Sequence, residues 1–299
     1  MPGLNMIFTA KFVMPIGRRE IMKIGLVINW NKNLAEKFVS ELANYFKKKN
    51  IDFVIIDSLP PRPTPKSATR SRKIKTVDLV LAVGGDGTLL RAVRLVAEKE
   101  IPIMGINLGS LGFLTAFSIN EALKSIDKFL KGNYRIEKRI IMQVTFGKNS
   151  SFAFNDCAIN MGKTGRVIEI NVNYRNEFVN KFVGDGIIVA TPTGSTAYSL
   201  AAGGPVVYPT IAAFILTPIC PHALAARPII LPATEAIELQ LSGKSKEAIL
   251  NLDGQVRWQL RSGQSVSIKQ ADFFVNLVFP KERSYFEILR NKLKWAGTQ

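Results

Sequence analysis

The sequence is poor in cysteine and histidine, with two and one respectively among 299 residues. Cys157 and Cys220 are far apart, and no Cys-x-x-Cys pair or mixed Cys/His spacing occurs. A structural zinc site is therefore not expected, no residue is assigned as a metal ligand, and the composition fits a reducing cytoplasm. No Walker A lysine motif is present either.

Acidic residues are also scarce, since 40 Lys and Arg stand against 23 Asp and Glu and give a formal charge of +17. This balance favours polyanionic partners such as nucleic acid, acidic membrane surfaces, nucleotides or polyphosphate, although a host-wide compositional bias would produce it equally well. The chain has no recognised nucleic-acid motif and no aromatic residues interleaved with basic ones, so nucleic acid is not the expected partner.

No long apolar run is uninterrupted. The most apolar stretch, 205–232, contains Pro209, Pro218, Pro221 and Pro228. A membrane helix would not tolerate that density of prolines, so no membrane segment is predicted and the protein is expected to be soluble. Residues 1–21 lack both a continuous apolar core and a small-residue cleavage site, and are expected to be a disordered extension.

Gly84-Gly85-Asp86-Gly87 is the most informative short motif. It follows the apolar, β-branched run Val77–Val83, which predicts a buried parallel strand, and it precedes Thr88–Ala97, which has helical spacing. Exposed N–H groups at such a strand-to-helix turn favour phosphate. Asp86 would repel a bare phosphate, so it is expected to hold a cation, to take a proton or to accept hydrogen bonds from a hydroxyl.

The order of predicted elements indicates a two-domain α+β protein. An N-terminal α/β domain with a Rossmann-like parallel sheet is predicted over 22–138, from strands at 24–30, 52–56, 78–83 and 101–107 and helices at 33–49 and 119–131. A C-terminal all-β, sandwich-like domain is predicted over 139–280, followed by a helical segment at 281–299. The strands of the all-β domain are predicted at 140–146, 151–161, 167–174, 177–183, 186–190, 236–241, 248–252, 265–269 and 273–279. The basic, proline-rich segment 60–75 is interpreted as a mobile loop or as an electrostatic lid.

A second motif combines Gly184-Asp185-Gly186 with Thr191-Pro192-Thr193-Gly194-Ser195-Thr196-Ala197-Tyr198-Ser199. Hydroxyls and glycines at this density can supply several donors to a diphosphate or a ribose. Together with Gly84–Thr88, Asn155-Asp156 and Leu252–Gln255, this motif resembles the ordered signature of the NAD kinase family. The resemblance extends from about Lys23 to Trp295.

The resemblance implies an α/β domain joined to a β-rich domain, with NAD in the cleft between them and the C-terminal segment returning to the first domain. It implies phosphorylation of the 2′-hydroxyl of the adenosine ribose by ATP, or by polyphosphate, with a divalent metal such as Mg²⁺. By similarity Asp86 is the general base and Gly87 contacts the phosphates of the dinucleotide. The other binding positions implied are Arg91, Asn155, Asp156, Arg166, Asp185, Thr196, Ala197, Tyr198, Ser199, Leu200, Ala201, His222 and Gln255.

Several alternatives remain open at this point. Asp156 stands where Glu is commoner in the family, and Arg91 and Arg94 could meet phosphate or face solvent. The segment Asp253–Gln255 could be only a hairpin turn. Lipid and sugar kinases share the Gly-Gly-Asp-Gly turn but do not account for Thr191–Tyr198, and a basic nucleic-acid-binding protein is a further alternative. A homodimer or homotetramer is expected from the family.

Overall fold

A computed structural model of the chain describes residues 22–59, 69–70, 77–162, 165–243 and 247–295. The chain divides into two compact units. The first takes its residues from 1–89, 101–136 and 277–299, and the second from 90–100 and 137–276. The expected extension at 1–21 lies outside the described residues, as does the segment 60–75 apart from residues 69–70.

Twenty strands and five helices make up the described structure. The helices are α1 (Ala35–Lys49), α2 (Asp86–Val96), α3 (Ala122–Leu130), α4 (Tyr198–Ala201) and α5 (Tyr285–Leu293). The strands are β1 (Lys23–Asn29), β2 (Asp52–Leu59), β3 (Thr69–Arg70), β4 (Leu79–Gly84), β5 (Ile103–Asn107), β6 (Phe117–Ser118), β7 (Arg135–Arg139), β8 (Met142–Phe146), β9 (Asn149–Ala153), β10 (Asp156–Met161), β11 (Ile168–Tyr174), β12 (Glu177–Gly184), β13 (Gly186–Ala190), β14 (Ala213–Ile219), β15 (Ile229–Pro232), β16 (Ile237–Ser242), β17 (Glu247–Leu252), β18 (Val256–Arg261), β19 (Ser265–Gln270) and β20 (Val275–Phe279).

The first unit is built on an eight-stranded sheet of order β3-β2-β1-β4-β5-β20-β7, with β6 paired to β5. The pairs β1–β2, β1–β4 and β4–β5 are all parallel. All six residues of β4 are buried, as a strand covered on both faces of a parallel sheet requires. On α1, Phe38, Leu42 and Phe46 are buried at helical spacing. The predicted parallel α/β domain is therefore confirmed.

The second unit contains two antiparallel sheets of six strands each, with the orders β15-β14-β13-β10-β17-β18 and β12-β11-β16-β19-β8-β9. Buried side chains from both sheets form one hydrophobic core, to which Cys157 and Ile159 contribute from the first sheet and Ile170 and Val172 from the second. Ala158, between Cys157 and Ile159, packs into a smaller cluster on the opposite face. The predicted all-β sandwich is confirmed.

One predicted strand is wrong. The interval 151–161 is not a single strand, because β9 ends at Ala153 and β10 begins at Asp156. The chain leaves one sheet of the second unit and enters the other at this turn. The cause is a side chain distant in sequence: the N–H groups of Phe154, Asn155 and Asp156 donate to the carboxylate of Asp253 and not to a neighbouring strand.

One further strand was assigned to the wrong domain, and several others were missed. The interval 273–279, assigned to the β-rich domain, contains β20, which pairs in parallel with β5. All residues of β20 are buried, so its pattern does not reveal which sheet it joins. Six strands were not predicted at all: β3, β6, β7, β14, β15 and β18. Pro218 lies within β14, and β15 ends at Pro232, so prolines concealed these two strands. Among the described residues, no helix is long and apolar enough to cross a membrane.

Candidate active site

Asp86 lies at the carboxyl edge of the parallel sheet of the first unit. Strand β4 ends at Gly84, and Asp86 is the first residue of α2. A β-carbon added at Gly85 or Gly87 would meet no atom within 4 Å, so the backbone on both sides of Asp86 is open to a ligand. The turn therefore presents a half-buried carboxylate between two accessible glycines.

The Asp86 carboxylate is held by the loop that follows β5. Its Oδ1 accepts the N–H of Leu114 at 3.2 Å, and the N–H and hydroxyl of Thr115 at 2.9 and 2.8 Å. Its Oδ2 accepts the N–H of Phe113 at 2.9 Å. Thr115 is itself fixed, because its hydroxyl oxygen accepts a hydrogen bond from the amide of Asn107 at 2.7 Å.

Gly112 makes this arrangement possible. A β-carbon at position 112 would lie 1.9 Å from Asp86 Oδ1 and 2.4 Å from Thr115 Oγ1. Real β-carbons do not approach other atoms so closely, so a side chain here would displace either the carboxylate or the loop. The loop can donate three consecutive N–H groups to Asp86 only because residue 112 is glycine.

In the second unit, the turn at Phe154–Asp156 is joined to the turn that follows β13. Thr191 donates its N–H to Asn155 O at 2.9 Å and its hydroxyl to Phe154 O at 2.6 Å. A β-carbon at Gly194 would lie 2.0 Å from Asn155 O, so the two backbones touch. Thr193 in turn accepts a hydrogen bond at its hydroxyl from the buried Arg139 at 3.4 Å.

The hydrogen-bonding capacity of the side chains in this turn is only partly used within the protein. Asn155 Oδ1 is buried and has no hydrogen-bond partner among the described residues. Such an orphan acceptor is costly unless a ligand or water supplies a donor. Asp156 is buried at the start of β10, and burial, together with the charge of Asp253, raises its pKa to about 7.

Asp253 is the residue that holds the turn. It lies with Gly254 and Gln255 in the hairpin between β17 and β18, and both Asp253 and Gly254 have positive φ, as tight hairpin turns require. Its Oδ1 accepts the N–H groups of Asn155 and Asp156 at 2.7 and 3.1 Å. Burial raises the pKa of Asp253, whereas its N–H donors and the nearby guanidinium of Arg94 lower it.

The run Thr196–Ala201 is only partly available to a ligand. Ser199 is fully buried, and its hydroxyl is hydrogen-bonded to that of Thr217 at 2.9 Å. Tyr198 is 43% exposed and donates to Asn160 Oδ1 at 3.3 Å. Burial raises the pKa of Tyr198, as do the nearby Asp156, Cys220 and Asp185. The structure thus groups Tyr198 with both acids that the sequence singled out in this unit.

The other candidate residues are more scattered. Asp86 and Gly87 belong to the first unit, and every other candidate belongs to the second. Arg166 and His222 are exposed, and Arg91 is half-buried on α2. Gln255 is exposed and accepts a hydrogen bond from Arg94 Nε at 3.4 Å. Sequence reasoning gave Thr115 no role, and it placed Asp253 and Thr191 in motifs without a role of their own. For Arg94 it left open whether the side chain meets phosphate or faces solvent.

The first unit has a parallel sheet with an open Gly-Gly-Asp-Gly turn at its carboxyl edge, where α/β sheets bind phosphorylated ligands. With the hydroxyl- and glycine-rich turn of the antiparallel unit, this places the protein in the broad class of nucleotide-binding proteins. The comparisons narrow this class. Family models described as "ATP-NAD kinase N-terminal domain" and "ATP-NAD kinase C-terminal domain" match residues 24–134 and 154–279.

An NAD kinase of Geobacter metallireducens is 35% identical over 280 residues, which cover 92% of this chain and 99% of the relative. The chain therefore belongs to the NAD kinase family. An Archaeoglobus fulgidus NAD kinase, solved in complex with ATP, is similar with a TM-score of 0.74 and 26% identity over 92% of this chain and all of that one. A yeast NADH kinase, solved with NADH, shares the fold with a TM-score of 0.82 at 23% identity, over 93% of this chain and 89% of that one.

The raised pKa of Asp156 predicts a pH-dependent effect of Asp156→Asn on stability. Between an unfolded value near 3.8 and a folded value of about 7, the folded wild-type protein binds the proton that the unfolded chain releases. The carboxyl group therefore lowers the free energy of unfolding as pH rises through this window. The free energy of unfolding of Asp156→Asn, measured relative to that of wild type by urea titration, should therefore rise by roughly 2–3 kcal/mol between pH 5 and pH 8.

The control for this prediction is Asp127→Asn. Hydrogen bonds from Lys49 and Tyr45 lower the pKa of Asp127, so it is ionised throughout the same pH range. Its effect on the free energy of unfolding should stay constant from pH 5 to pH 8. A constant difference for Asp156→Asn as well would show that the carboxyl group of Asp156 titrates normally.

Proposed function

We propose that this protein is an NAD kinase that transfers the terminal phosphoryl group of ATP to the 2′-hydroxyl of the adenosine ribose of NAD. Membership of the family supports the reaction, and the geometry of Asp86 supports the assignment of the general base. Polyphosphate is a second candidate donor. The comparisons do not support a lipid or sugar kinase or a basic nucleic-acid-binding protein, because the matched relatives are named NAD kinases.

The observation that carries the proposal is the unequal use of the two oxygens of Asp86. Oδ1 accepts three hydrogen bonds from the loop, whereas Oδ2 accepts one among the described residues. An ionised carboxylate has about four lone-pair sites, so Oδ2 retains one for a substrate hydroxyl. A carboxylate that is held by its other oxygen and open at this one is suited to take a proton.

In the proposed reaction the 2′-hydroxyl oxygen of NAD attacks the terminal phosphorus of ATP. The proton of that hydroxyl passes to Asp86 Oδ2, the new oxygen–phosphorus bond forms, and the bond to the bridging oxygen breaks to release ADP. General base catalysis of this kind contributes about 10²- to 10⁴-fold. The rest of phosphoryl transfer depends on positioning and on neutralisation of charge, which the open backbone at Gly85 and Gly87 can assist.

The turn at Asn155–Asp156 is proposed to bind the ribose and adenine of the dinucleotide. The orphan Oδ1 of Asn155 needs a donor, which a ribose hydroxyl or an exocyclic amine provides. Asp156 is one methylene shorter than Glu, and its half-titrated state near neutral pH lets it accept from or donate to a hydroxyl. The partly exposed ring of Tyr198 is proposed to stack on a base. We assign Gly87, Arg91, Arg166, Asp185, Thr196–Ala201, His222 and Gln255 as further binding positions by similarity.

A divalent metal, with Mg²⁺ as the candidate, is part of the proposal. Within the described part of the chain, no group of three or more His, Cys, Asp or Glu side chains could hold a metal ion. The ion is therefore proposed to enter bound to the phosphates of the donor, and no step described for the residues above passes through it.

We also propose that the protein is a cytoplasmic homodimer or homotetramer. Both cysteines are free. In the second unit β15 is an end strand, and Ile229 and Ile230 on it are exposed, as is Ile211. An apolar edge strand of this kind is suited to pairing with a second copy. Sedimentation at several concentrations should show a species of two or four chains, and a monomer at every concentration would contradict this part of the proposal.

Replacement of the general base tests the function directly. Asp86→Asn should lower kcat for NADP formation by about 10²- to 10⁴-fold, because the amide cannot take the proton. The dissociation constant for NAD should change much less. The assay uses purified protein, NAD, ATP and Mg²⁺, with NADP detected by a dehydrogenase that accepts only NADP.

The matched control for this assay is Asp127→Asn, which removes a carboxylate on α3 that contacts Lys49 and Tyr45 on α1. Its kcat should equal that of wild type. A wild-type protein that forms no NADP from ATP or polyphosphate would exclude the proposed function. Full activity in Asp86→Asn would exclude only the role of Asp86.

Gly112→Ala should reduce kcat without removing any functional group. Its β-carbon would collide with Asp86 Oδ1, so the carboxylate must move from its position on the loop. A displacement near 1 Å can cost about 10²-fold in rate. The control is Gly109→Ala on the same loop, where the nearest atom, Asn107 Oδ1, would lie at an ordinary 3.7 Å. Equal kcat values for the two variants would contradict the importance of this packing.

A further inference from the structure

Asp253 contacts the turn at Phe154–Asp156 through backbone groups alone. Its Oδ2 accepts the N–H of Phe154 at 2.9 Å, and its Oδ1 accepts those of Asn155 and Asp156 at 2.7 and 3.1 Å. The N–H of Asp253 completes the contact by donating to Asp156 O at 3.0 Å. The hairpin thereby fixes the backbone of all three residues while leaving the side chains of Asn155 and Asp156 free of it.

Arg94 on α2 anchors Asp253 and the strand that enters the turn. Its Nη2 lies 3.5 Å from Asp253 Oδ2, and its Nη1 donates to Ser151 Oγ on β9 at 3.0 Å. Its Nε donates to Gln255 Oε1 at 3.4 Å. The guanidinium therefore joins the hairpin to β9. Its rigid, planar set of N–H donors faces three separate acceptors, whereas the ammonium group of a lysine is a single compact charge.

The neighbours of the Asp253 carboxylate are suited to an ionised, acceptor-only group. The four groups that contact it are all donors: three N–H groups and one guanidinium. The side chain of Asp253 is only 3% exposed, so a ligand in solution has almost no access to it. Asp253 therefore acts on a ligand only through the turn that it holds.

We propose that Asp253, secured by Arg94, is a positioning residue that sets the orientation of Asn155 and Asp156 towards the dinucleotide. The inference rests on the proposed function, because it takes the dinucleotide as the ligand of this turn. Without Asp253 the three N–H groups would lose their acceptor, and the turn would sample other conformations. The two side chains would then meet the ribose with the correct geometry only part of the time.

Asp253→Asn tests the proposal with minimal disturbance of the backbone. Asn tolerates the left-handed φ of 51° at this position as well as Asp does. The single carbonyl oxygen of Asn can accept hydrogen bonds from only some of the four donors. Its NH₂ group is itself a donor and cannot accept from the others. We expect KM for NAD to rise roughly 10- to 100-fold while KM for ATP changes less than about twofold.

Hydrogen exchange of the backbone supplies a readout that needs no activity. In Asp253→Asn the amides of Phe154, Asn155 and Asp156 should exchange at least about tenfold faster, while those of β11 and β16 keep their protection. A generally destabilised fold would accelerate exchange in all these segments and would leave KM for NAD unchanged in the folded fraction. Asp127→Asn, which removes a partly exposed carboxylate that contacts Tyr45 and Lys49 in the first unit, should change neither KM nor exchange at the turn.

Arg94→Lys is a milder second variant if Asp253→Asn does not fold. It keeps the positive charge but loses the fork, so KM for NAD and exchange at the turn should change in the same direction and by less. Unchanged exchange in both variants would overturn the role of Asp253 as an anchor. Faster exchange with an unchanged KM for NAD would overturn its positioning role. A wild-type protein that makes no NADP would instead overturn the proposed function, since the exchange measurement stands without it.

Discussion

A carboxylate that accepts the N–H groups of three consecutive residues is the interaction on which the candidate residues of each unit depend. In the first unit Asp86 binds residues 113–115, and in the second Asp253 binds residues 154–156. The two cases use the interaction in opposite ways. The loop holds the carboxylate of Asp86, which is the group proposed to take a proton, whereas Asp253 itself holds a turn whose side chains are proposed to bind the dinucleotide. Hydrogen bonds to a charged acceptor are among the stronger ones in proteins, which suits them to fixing backbone that belongs to no sheet.

The interactions of Asp253 also affect the charge state of its neighbour Asp156. The charge of Asp253 is balanced by Arg94, whereas no cation among the described residues forms an ion pair with the neighbouring Asp156. Burial of two neighbouring acids therefore costs stability, and the pKa of Asp156 is raised so that it keeps its proton up to near-neutral pH. Polar groups that lack a hydrogen-bond partner within the protein are common at binding sites, because a bound ligand can supply that partner. The orphan oxygen of Asn155 belongs to the same pattern.

The sequence predicted the parallel α/β unit and the antiparallel unit, because both depend on local pattern. Asp86 and Asp156 were singled out by the resemblance of their motifs to a family, and their roles stay proposals. Alternating and continuous apolar runs gave β1, β4 and β13 to within one or two residues. What it missed depends on contacts between distant residues. The break at Phe154–Asn155 is produced by a side chain about 98 positions further on, and β20 joins a sheet that begins near residue 23. No periodicity within a short window contains such information, and Asp253 looked like an ordinary turn residue for this reason.

The internal position of β20 in the first sheet has a consequence for how the protein is made. This strand lies between β5 and β7, although it is the last strand among the described residues. During synthesis, the ribosome releases the whole second unit before the residues that complete the first sheet. Until then β5 has an open, apolar edge, which is a site for mispairing. The nascent chain therefore carries an unfinished first sheet while the second unit is synthesised, and the first unit can complete its fold only after β20 has been made.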